Sequence, residues 1–322
     1  METRMLGRLW PVSCLTIGGG GIGQVWGQTD REESVATVRE AVDSGVNLID
    51  VAPSYGDGEA ESVIGAAFGG RLPAGVRVCT KHHVGDTPAS EVAAGMDRSL
   101  AESMQRMQAP FIDLFILHSP IVPDESMTAS WRTHLPVYRE TVRPAMQRLV
   151  EDGRIGAWGM TAAHPPSMVE TVLAEDPAPD VAQMVANVLD APGDMSWSEE
   201  PPRPRDLLAL AAARGVGVMG IRALQAGALT DDLDRDLVAD HPARVDFERA
   251  GPFRALAAEL GESAASLSYR YALSMSGVDT VVLGVKNRTE LRESLKAGEL
   301  GALSPETMAM IDERMAPLRL TD

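Results

Sequence analysis

Apolar positions along the chain alternate between two spacings. Short runs rich in β-branched residues, typical of buried strands, are each followed by a longer segment whose apolar residues recur three and four positions apart, as on one face of a helix. In the first such segment Val35, Val38 and Val42 share a face, Asp30 stands at the N-cap position and Gly45 follows as a stop. Strands are predicted at 14–18, 47–52, 77–82, 112–118, 155–161, 182–188, 215–221 and 280–285.

Eight strand–helix units in a row predict a closed parallel barrel. Helices are predicted at 31–44, 60–68, 89–107, 138–151, 166–174, 205–214, 253–260 with 264–275, and 289–297. Apolar strands separated by helices form a parallel sheet covered by helices, and eight of them close into a (β/α)8 TIM barrel. We therefore expect residues 1–322 to form one α/β domain. It would carry an N-terminal hairpin at the barrel floor, an extra C-terminal helix over 305–315 and a long insertion over 225–251.

Composition and charge narrow the class of ligand. The hydrophobic fraction (44%) and the charged fraction (23%) are ordinary for a globular chain. Twenty-nine basic against 46 acidic residues give a net charge of −17, which argues against nucleic acid and anionic membranes as partners. Cys14 and Cys79 form no CxxC pair, and no apolar run is long enough for a signal segment or a membrane span. We expect a cytoplasmic protein with a small-molecule ligand, its oligomeric state left open.

Polar side chains mark the ends of the second, third and fourth predicted strands, where barrel enzymes carry their chemistry. LIDVAPSYG places Asp50 at a strand end with Tyr55 just beyond it, VCTKHH places Lys81, and DLFILHSP places His118. Taken singly, each has an ordinary structural explanation, such as a helix cap or a core histidine. Together they suit carbonyl reduction, which needs a proton donor at the developing alkoxide. Lys81 would stabilise a tyrosine phenolate and so lower its pKa, and Asp50 would hold the lysine.

With this set the chain resembles the aldo-keto reductase superfamily, from Leu6 to Ala297. The segments IDVAPSYGDGEAESVIG, EDGRIGAWGMT, GALT and VVLGVKNRTELRES add to the resemblance. It implies an oxidoreductase that transfers hydride between a nicotinamide cofactor and an aldehyde, ketone or sugar-like carbonyl. In that scheme Tyr55 is the general acid, Lys81 and Asp50 tune it, and His118 positions the substrate.

The resemblance also implies a cofactor site along the later strand ends. Departures from the family pattern are Thr161-Ala162, where Ser-Asn is usual, and Ile221, where a tyrosine often stacks on the nicotinamide. The cofactor-site roles are the carboxamide for Thr161 and Gln183, the ring face for Ile221, the pyrophosphate for Arg222, the adenosine phosphate for Gly284, Val285, Lys286 and Arg288, and the adenine for Glu293 and Ser294. Asn187 matches the polar cofactor-site residue further along the sixth strand.

The choice of dinucleotide is predicted from charges near the eighth helix. Lys286 and Arg288 flank its start, and two cations at a helix N-terminus suit a 2′-phosphate. Glu290 carries the opposite charge one turn into the helix. The balance predicts a modest preference for NADP(H), with NAD(H) as the alternative.

Two other motifs have competing interpretations. Residues 18–23 match GxGxxG, the fingerprint of an open doubly wound dinucleotide fold, but the next predicted helix begins only near Asp30. We expect these glycines to let the loop approach the cofactor instead, with Trp26 and Trp131 as walls of the substrate pocket. His82 and His83 are adjacent on a strand and point to opposite faces, so we predict no metal site.

Two further functions stay open on the same barrel. One is an NAD-dependent sugar or pyridoxal dehydrogenase that runs in the oxidising direction. The other is a cofactor-sensing interaction subunit that resembles the potassium-channel β subunits.

Overall fold

The computed structural model describes residues 1–123 and 131–319. In chain order its strands are β1 (Thr3–Met5), β2 (Pro11–Ser13), β3 (Leu15–Gly18), β4 (Leu48–Asp50), β5 (Arg77–His82), β6 (Ile112–Leu117), β7 (Ile121–Val122), β8 (Thr133–His134), β9 (Ile155–Thr161), β10 (Val181–Val185), β11 (Gly217–Ile221) and β12 (Thr280–Leu283). β3, β4, β5, β6, β9, β10, β11 and β12 form a closed parallel barrel in which consecutive strands are neighbours. The predicted (β/α)8 fold is confirmed.

The barrel closes where its last strand meets its first. β12 pairs in parallel with β3, with Val281 beside Leu15 and Leu283 beside Ile17. Inside this seam the hydroxyls of Thr16 and Thr280 are hydrogen-bonded at 2.8 Å. Residues more than 260 positions apart in sequence are thereby held in one sheet.

The antiparallel hairpin β1–β2 closes the amino-terminal end of the barrel, as predicted. Leu6, at its turn, is fully buried and packs with Val12, Leu48 and Cys79 in the barrel interior. Gly7 has φ +52°, and a Cβ there would lie 2.3 Å from the backbone nitrogen of Gly217, so the turn is pressed against the barrel floor. Among the described residues the hairpin covers the amino-terminal end, which leaves the carboxyl end of the barrel for a ligand.

The long helices surround the barrel on its outer face, and short helical turns lie in its loops. They are α1 (Gly19–Ile22), α2 (Arg31–Asp43), α3 (Glu59–Phe68), α4 (Ala89–Met107), α5 (Leu135–Val137), α6 (Arg143–Glu151), α7 (Pro166–Ala174), α8 (Pro204–Ala213), α9 (Pro242–Arg249), α10 (Gly251–Glu259), α11 (Ala264–Ser274), α12 (Arg288–Leu300) and α13 (Pro305–Met315). A π-helical turn, Tyr138–Val142, joins α5 to α6. The Asp30 side chain caps α2 by accepting the Glu33 amide at 2.9 Å, as its position predicts.

Two helical segments differ from the prediction. The short helix α1 begins directly after β3, so the glycines do open one helical turn, although the next long helix starts only at Arg31. The insertion at 225–251 contains α9, which begins at Pro242. Its sequence PARVDFER has few apolar residues and buries only Ala243 and Asp246, so no apolar stripe marks it as a helix. Within the described part of the chain, no helix is both long enough and apolar enough to cross a membrane.

Candidate active site at the carboxyl end of the barrel

Asp50, Tyr55, Lys81 and His118 form one cluster. Asp50 ends β4, Lys81 lies on β5, His118 follows β6 directly, and Tyr55 lies in the loop before α3. The Lys81 ammonium donates to Asp50 Oδ2 and to the Val51 carbonyl, each at 3.0 Å, and to the Tyr55 hydroxyl at 3.2 Å. His118 Nε2 lies 3.5 Å from the same hydroxyl, and the two rings meet edge to face. The structure therefore gathers the four predicted residues around one phenol oxygen.

Strand pairing explains why the lysine reaches the carboxylate. In the parallel register Asp50 lies beside Cys79, two residues before Lys81 on the neighbouring strand. Paired strands lie about 5 Å apart, which a lysine side chain spans easily. Lys81 is fully buried and Asp50 nearly so, and both are on short strands held on each side by the barrel.

Burial and the lysine charge together set the protonation states. Burial lowers the pKa of Lys81, but Asp50 and Tyr55 outweigh that effect and hold the lysine pKa above its usual value. Burial, and then the charge of Lys81, lower the pKa of His118 well below its usual range. Burial also raises the pKa of Tyr55, and Lys81 only partly offsets it. The net direction for Tyr55 is thus opposite to the predicted lowering, and the site holds a charged lysine, a neutral imidazole and an intact phenol at neutral pH.

Gln183 makes a different contact from the one the resemblance implies. Its side-chain amide donates to Asp50 Oδ1 at 2.8 Å, across the barrel mouth from β10. Asp50 therefore accepts from both Lys81 and Gln183, and the glutamine helps to orient the carboxylate. Gln183 still lines the cavity described next.

A cavity of about 770 Å³ opens above the cluster. It lies within the usual size range of ligand sites. Asp50, Tyr55 and His118 line it at one end, and the start of α12 lines it as well. The predicted residues that line it are Trp26, Thr161, Gln183, Ile221, Arg222, Gly284, Val285, Lys286, Glu293 and Ser294.

Details of this lining fit a nicotinamide dinucleotide. The Thr161 hydroxyl oxygen is buried, and no hydrogen-bond partner is found for it among the described residues. A buried hydroxyl without a partner is costly, and a ligand amide would satisfy it. The backbone at Gly20 comes so close to Trp26 that a Cβ would lie 2.2 Å from the indole ring. The glycine loop thus lets the tryptophan lie against the cavity wall.

The two cations from which NADP(H) was predicted are both paired with carboxylates. Lys286 Nζ contacts Glu290 Oε1 and lies 3.2 Å from Asp234 Oδ2. The Arg288 guanidinium and its backbone N–H both donate to Glu33 of α2, at 2.8 and 2.9 Å. The prediction from sequence weighed two cations, Lys286 and Arg288, against one anion, Glu290. It omitted Asp234 and Glu33, which are distant in sequence and which the fold brings next to those cations.

Besides Lys81, which lies beneath Tyr55, three predicted site residues have other contacts and are not among the described residues that line this cavity. Arg288 is held by Glu33, as above. Asn187 uses its amide within the loop after β10: Nδ2 donates to the Ala191 carbonyl at 3.0 Å and Oδ1 accepts the Leu189 amide at 3.1 Å. Trp131 packs against the Trp197 ring at 4.9 Å between centroids, and its carbonyl lies 2.7 Å from His83 Nε2. Asn187 and Trp131 thus shape loops and do not face the described cavity.

Some cavity residues were not predicted from sequence. Asp194 pairs with Arg222, and Asp234 pairs with Lys286, so acidic side chains from two loops hold cations at the cavity wall. Tyr269 of α11 is almost fully buried and also lines the cavity. No spacing in the sequence distinguishes these residues from other surface acids or core aromatics. Among the described residues, no group of three or more histidine, cysteine, aspartate or glutamate side chains could hold a metal ion.

Comparisons with known proteins agree with the fold. Residues 14–315 match the model of a family described as "Aldo/keto reductase family". L-Galactose dehydrogenase from Arabidopsis thaliana is 24% identical over 331 residues, covering 99% of this chain and 96% of its own length. The holo structure of an aldo-keto reductase from Bacillus halodurans superposes with a TM-score of 0.74 at 20% identity, over 99% of this chain and 96% of that one.

A further structure, an aldo/keto reductase from Klebsiella pneumoniae in complex with NADP and acetate, superposes with a TM-score of 0.68 at 22% identity, over 97% of this chain and 94% of that one. A closed (β/α)8 barrel with a polar cluster and a large cavity at its carboxyl end is the arrangement in which barrel enzymes carry their active sites. The chain belongs to the aldo/keto reductase family, which uses NAD(P)H as hydride carrier. The predicted family and the class of cofactor are confirmed.

Proposed function

We propose that the protein transfers hydride between a nicotinamide dinucleotide and an aldehyde, ketone or sugar-like carbonyl, with Tyr55 as the general acid. The observation that carries the proposal is the Tyr55 hydroxyl, which lies within 3.5 Å of both the Lys81 ammonium and His118 and faces the large cavity. The nicotinamide would supply or accept hydride at the reacting carbon. All proton chemistry is left to the protein.

Tyr55 is suited to hold a proton until it is needed. Its raised pKa keeps the phenol protonated at neutral pH. When negative charge develops on the carbonyl oxygen, the phenol gives up its proton, and the phenolate left behind lies 3.2 Å from the Lys81 ammonium. Asp50 and the Val51 carbonyl fix that ammonium in place, so little reorganisation is required.

His118 is suited to orient the substrate. Its pKa lies well below the usual range, so the ring is neutral at neutral pH and keeps one N–H donor. A neutral donor beside Tyr55 can hydrogen-bond a carbonyl oxygen without adding a second positive charge near Lys81. On this basis we assign His118 to substrate positioning.

The residues that would hold the cofactor follow the cavity lining. Thr161 would bind the carboxamide through its unpaired hydroxyl, Ile221 would cover one ring face, and Arg222 would approach the pyrophosphate. Gly284, Val285 and Lys286 would lie at the adenosine phosphates, with Glu293 and Ser294 at the adenine. Trp26 would form part of the wall on the substrate side.

The oxidising direction is a second candidate function with the same residues. L-Galactose dehydrogenase resembles this chain over nearly its whole length, and the name of that protein denotes oxidation of a sugar. In that direction the phenolate of Tyr55 would accept the proton of an alcohol, and Lys81 would again stabilise the phenolate. The chain would then act as a sugar dehydrogenase.

The test is a matched assay in both directions. Purified protein is titrated with NADH and NADPH by nicotinamide fluorescence, and turnover is then measured with aldehydes, ketones and aldoses for reduction and with sugars and polyols for oxidation. We expect dinucleotide binding and turnover with at least one carbonyl or alcohol. Binding of both dinucleotides without turnover of any substrate in either direction would favour the interaction subunit, and absence of binding would refute the proposed function.

A further inference from the structure

Glu290 folds back over the start of α12 in the wall of the cavity. Its Oε1 contacts the Lys286 ammonium, and its Oε2 accepts the Lys286 backbone N–H at 3.0 Å. The Lys286 side chain is largely buried and that of Glu290 is about one third exposed. The Glu290 carboxylate is therefore bound to both the ammonium and the backbone N–H of Lys286 in this part of the cavity wall.

The Lys286 ammonium and backbone N–H are the groups that the 2′-phosphate of NADP(H), which NAD(H) lacks, would need as partners. If the reacting ring lies at Tyr55, the remainder of a dinucleotide extends along the lining toward Lys286, Glu290 and Glu293. A helix N-terminus with a lysine is the usual place for a phosphate. Here the Glu290 carboxylate already binds the groups that the phosphate would contact, and Asp234 Oδ2 lies 3.2 Å from the Lys286 ammonium.

No second cation compensates at this point among the described residues that line the cavity near α12. Arg288 is bound to Glu33 on α2 and does not line the described cavity. Arg235 lines it but pairs with Asp234 and donates to the Ala226 carbonyl at 2.6 Å. A 2′-phosphate would therefore meet the Glu290 carboxylate without a free cation, whereas a ribose hydroxyl could donate to that carboxylate.

We propose that Glu290 is a specificity-determining residue that makes the site select NAD(H) over NADP(H). This inference rests on the proposed function, because it assumes that a dinucleotide binds in the cavity. It differs from the preference for NADP(H) that was predicted from the charges of Lys286, Arg288 and Glu290 in the sequence, because the fold pairs both cations with carboxylates.

The experiment measures binding and needs no turnover. Dissociation constants of the purified full chain for NADH and NADPH are measured by nicotinamide fluorescence and by calorimetry. We expect wild-type protein to bind NADH at least about tenfold more tightly than NADPH, and Glu290→Gln to shift that ratio toward NADPH by about tenfold. The affinity of the variant for NADH should change much less.

Glu293→Gln is the matched control. It removes the same charge from the same helix and cavity wall, but Glu293 makes no contact with Lys286 in the described structure. Because the adenine to which Glu293 is assigned is common to both dinucleotides, any loss of affinity should be equal for NADH and NADPH, and the ratio of their dissociation constants should stay near that of wild type. An equal shift in both variants would show a diffuse charge effect and overturn the role of Glu290.

The remaining outcomes separate this inference from the function on which it rests. Tighter NADPH binding by wild-type protein would overturn the inference and leave the proposed function standing. An equal gain in affinity for NADH and NADPH in Glu290→Gln would also overturn the inference and leave the proposed function standing. It would place Lys286 at the pyrophosphate, which both cofactors share. Failure to bind either cofactor would refute the proposed function itself. If Glu290→Gln did not fold, the wild-type ratio alone would decide.

Discussion

The phenol of Tyr55 depends on its neighbours in two opposite ways. Burial keeps the proton on, and the Lys81 ammonium at 3.2 Å makes its departure less costly. In the proposed reaction these two effects act at different moments, since burial dominates the resting state and the lysine would stabilise the phenolate once it forms. A raised resting pKa is therefore compatible with the role of general acid.

Tyr55→Phe should remove the donor and keep the ring. We expect kcat to fall by about 10²–10⁴, the usual contribution of general acid catalysis. Dissociation constants for the dinucleotides should stay within about twofold, because the substitution removes no charge. Steady-state kinetics on a verified substrate, with fluorescence titration as control, tests this. Unchanged turnover would remove Tyr55 from the role of acid.

Lys81 and Asp50 should differ in their effects on turnover. Lys81→Met removes the cation beside the phenol, so kcat should fall by about 10²–10⁴. Asp50→Asn keeps the lysine in contact with the Val51 carbonyl and Tyr55, so its loss should be about tenfold smaller. Measuring kcat for both variants decides the order. A slower Asp50→Asn enzyme would contradict these roles.

Stability provides the control for that comparison. Lys81→Met leaves a buried carboxylate without its cation, which typically costs about 3–5 kcal/mol. The double variant Lys81→Met with Asp50→Asn should recover much of the unfolding free energy in a urea titration but none of the turnover. Parallel recovery of both would mean that the single variant had merely been unfolded.

Residues of the candidate site differ in how far sequence alone could place them. Asp50, Lys81 and His118 were predictable because each ends or directly follows an apolar strand, and parallel strands bring such ends together. Asn187 satisfies the same rule of position on the predicted sixth strand, and Arg288 opens the helix after the last strand, yet their side chains turn to Ala191 and Glu33. Side-chain direction after a strand end depends on loop and helix neighbours, which sequence spacing does not encode.

Among the elements, we expect the hairpin β1–β2 to contribute to stability, because it packs at the end of the barrel opposite the candidate site. Leu6 is fully buried at the barrel floor, whereas its neighbour Met5 is about half exposed. Leu6→Ala should lower the free energy of unfolding by about 2–5 kcal/mol, and Met5→Ala should change it by less than about 0.5 kcal/mol. Urea unfolding of both variants makes the comparison. Equal losses would show that the hairpin does not seal the barrel.

Elements with a clear apolar period were predicted within a few residues of their observed bounds. For β5, β9, α4 and α7 the predicted and observed bounds agree at both ends. The exceptions have physical causes. α1 consists of three glycines and Ile22, and α9 buries little, so neither has an apolar stripe. Trp131, which was predicted as a wall of the substrate pocket, adjoins residues 124–130, which lie outside the described part of the chain.

For the whole molecule, two partly buried histidines predict a pH dependence of stability. Burial, with His83 and Arg98 nearby, lowers the pKa of His82 from 6.5 to about 4, and burial also lowers that of His118. Below pH 6.5 the unfolded chain binds these protons while the folded chain does not. The free energy of unfolding should therefore fall as the pH drops from about 6.5 toward 4, by at most about 1.4 kcal/mol per pH unit for each histidine.

The contribution of His82 can be isolated from the slope of the free energy of unfolding against pH. Urea unfolding is measured at several pH values in that window for wild type, His82→Gln and His83→Gln. His82→Gln should show a shallower fall with decreasing pH, and His83→Gln, at the exposed neighbouring position, should keep most of the wild-type slope, because burial is the larger cause of the lowered pKa of His82. Identical slopes in all three proteins would exclude His82 as a source of the dependence.

The seam between β12 and β3 also determines when the site can exist during synthesis. Glycines 18–20 precede every other part of the cavity in the chain, and Glu293 and Ser294 come almost last. A nascent chain that has not yet extruded β12 can form much of its secondary structure but cannot complete the pocket. Acquisition of dinucleotide binding would thus report the final closure of the barrel and not the formation of its helices, and a ligand present during refolding would favour only the chains that have joined their two ends.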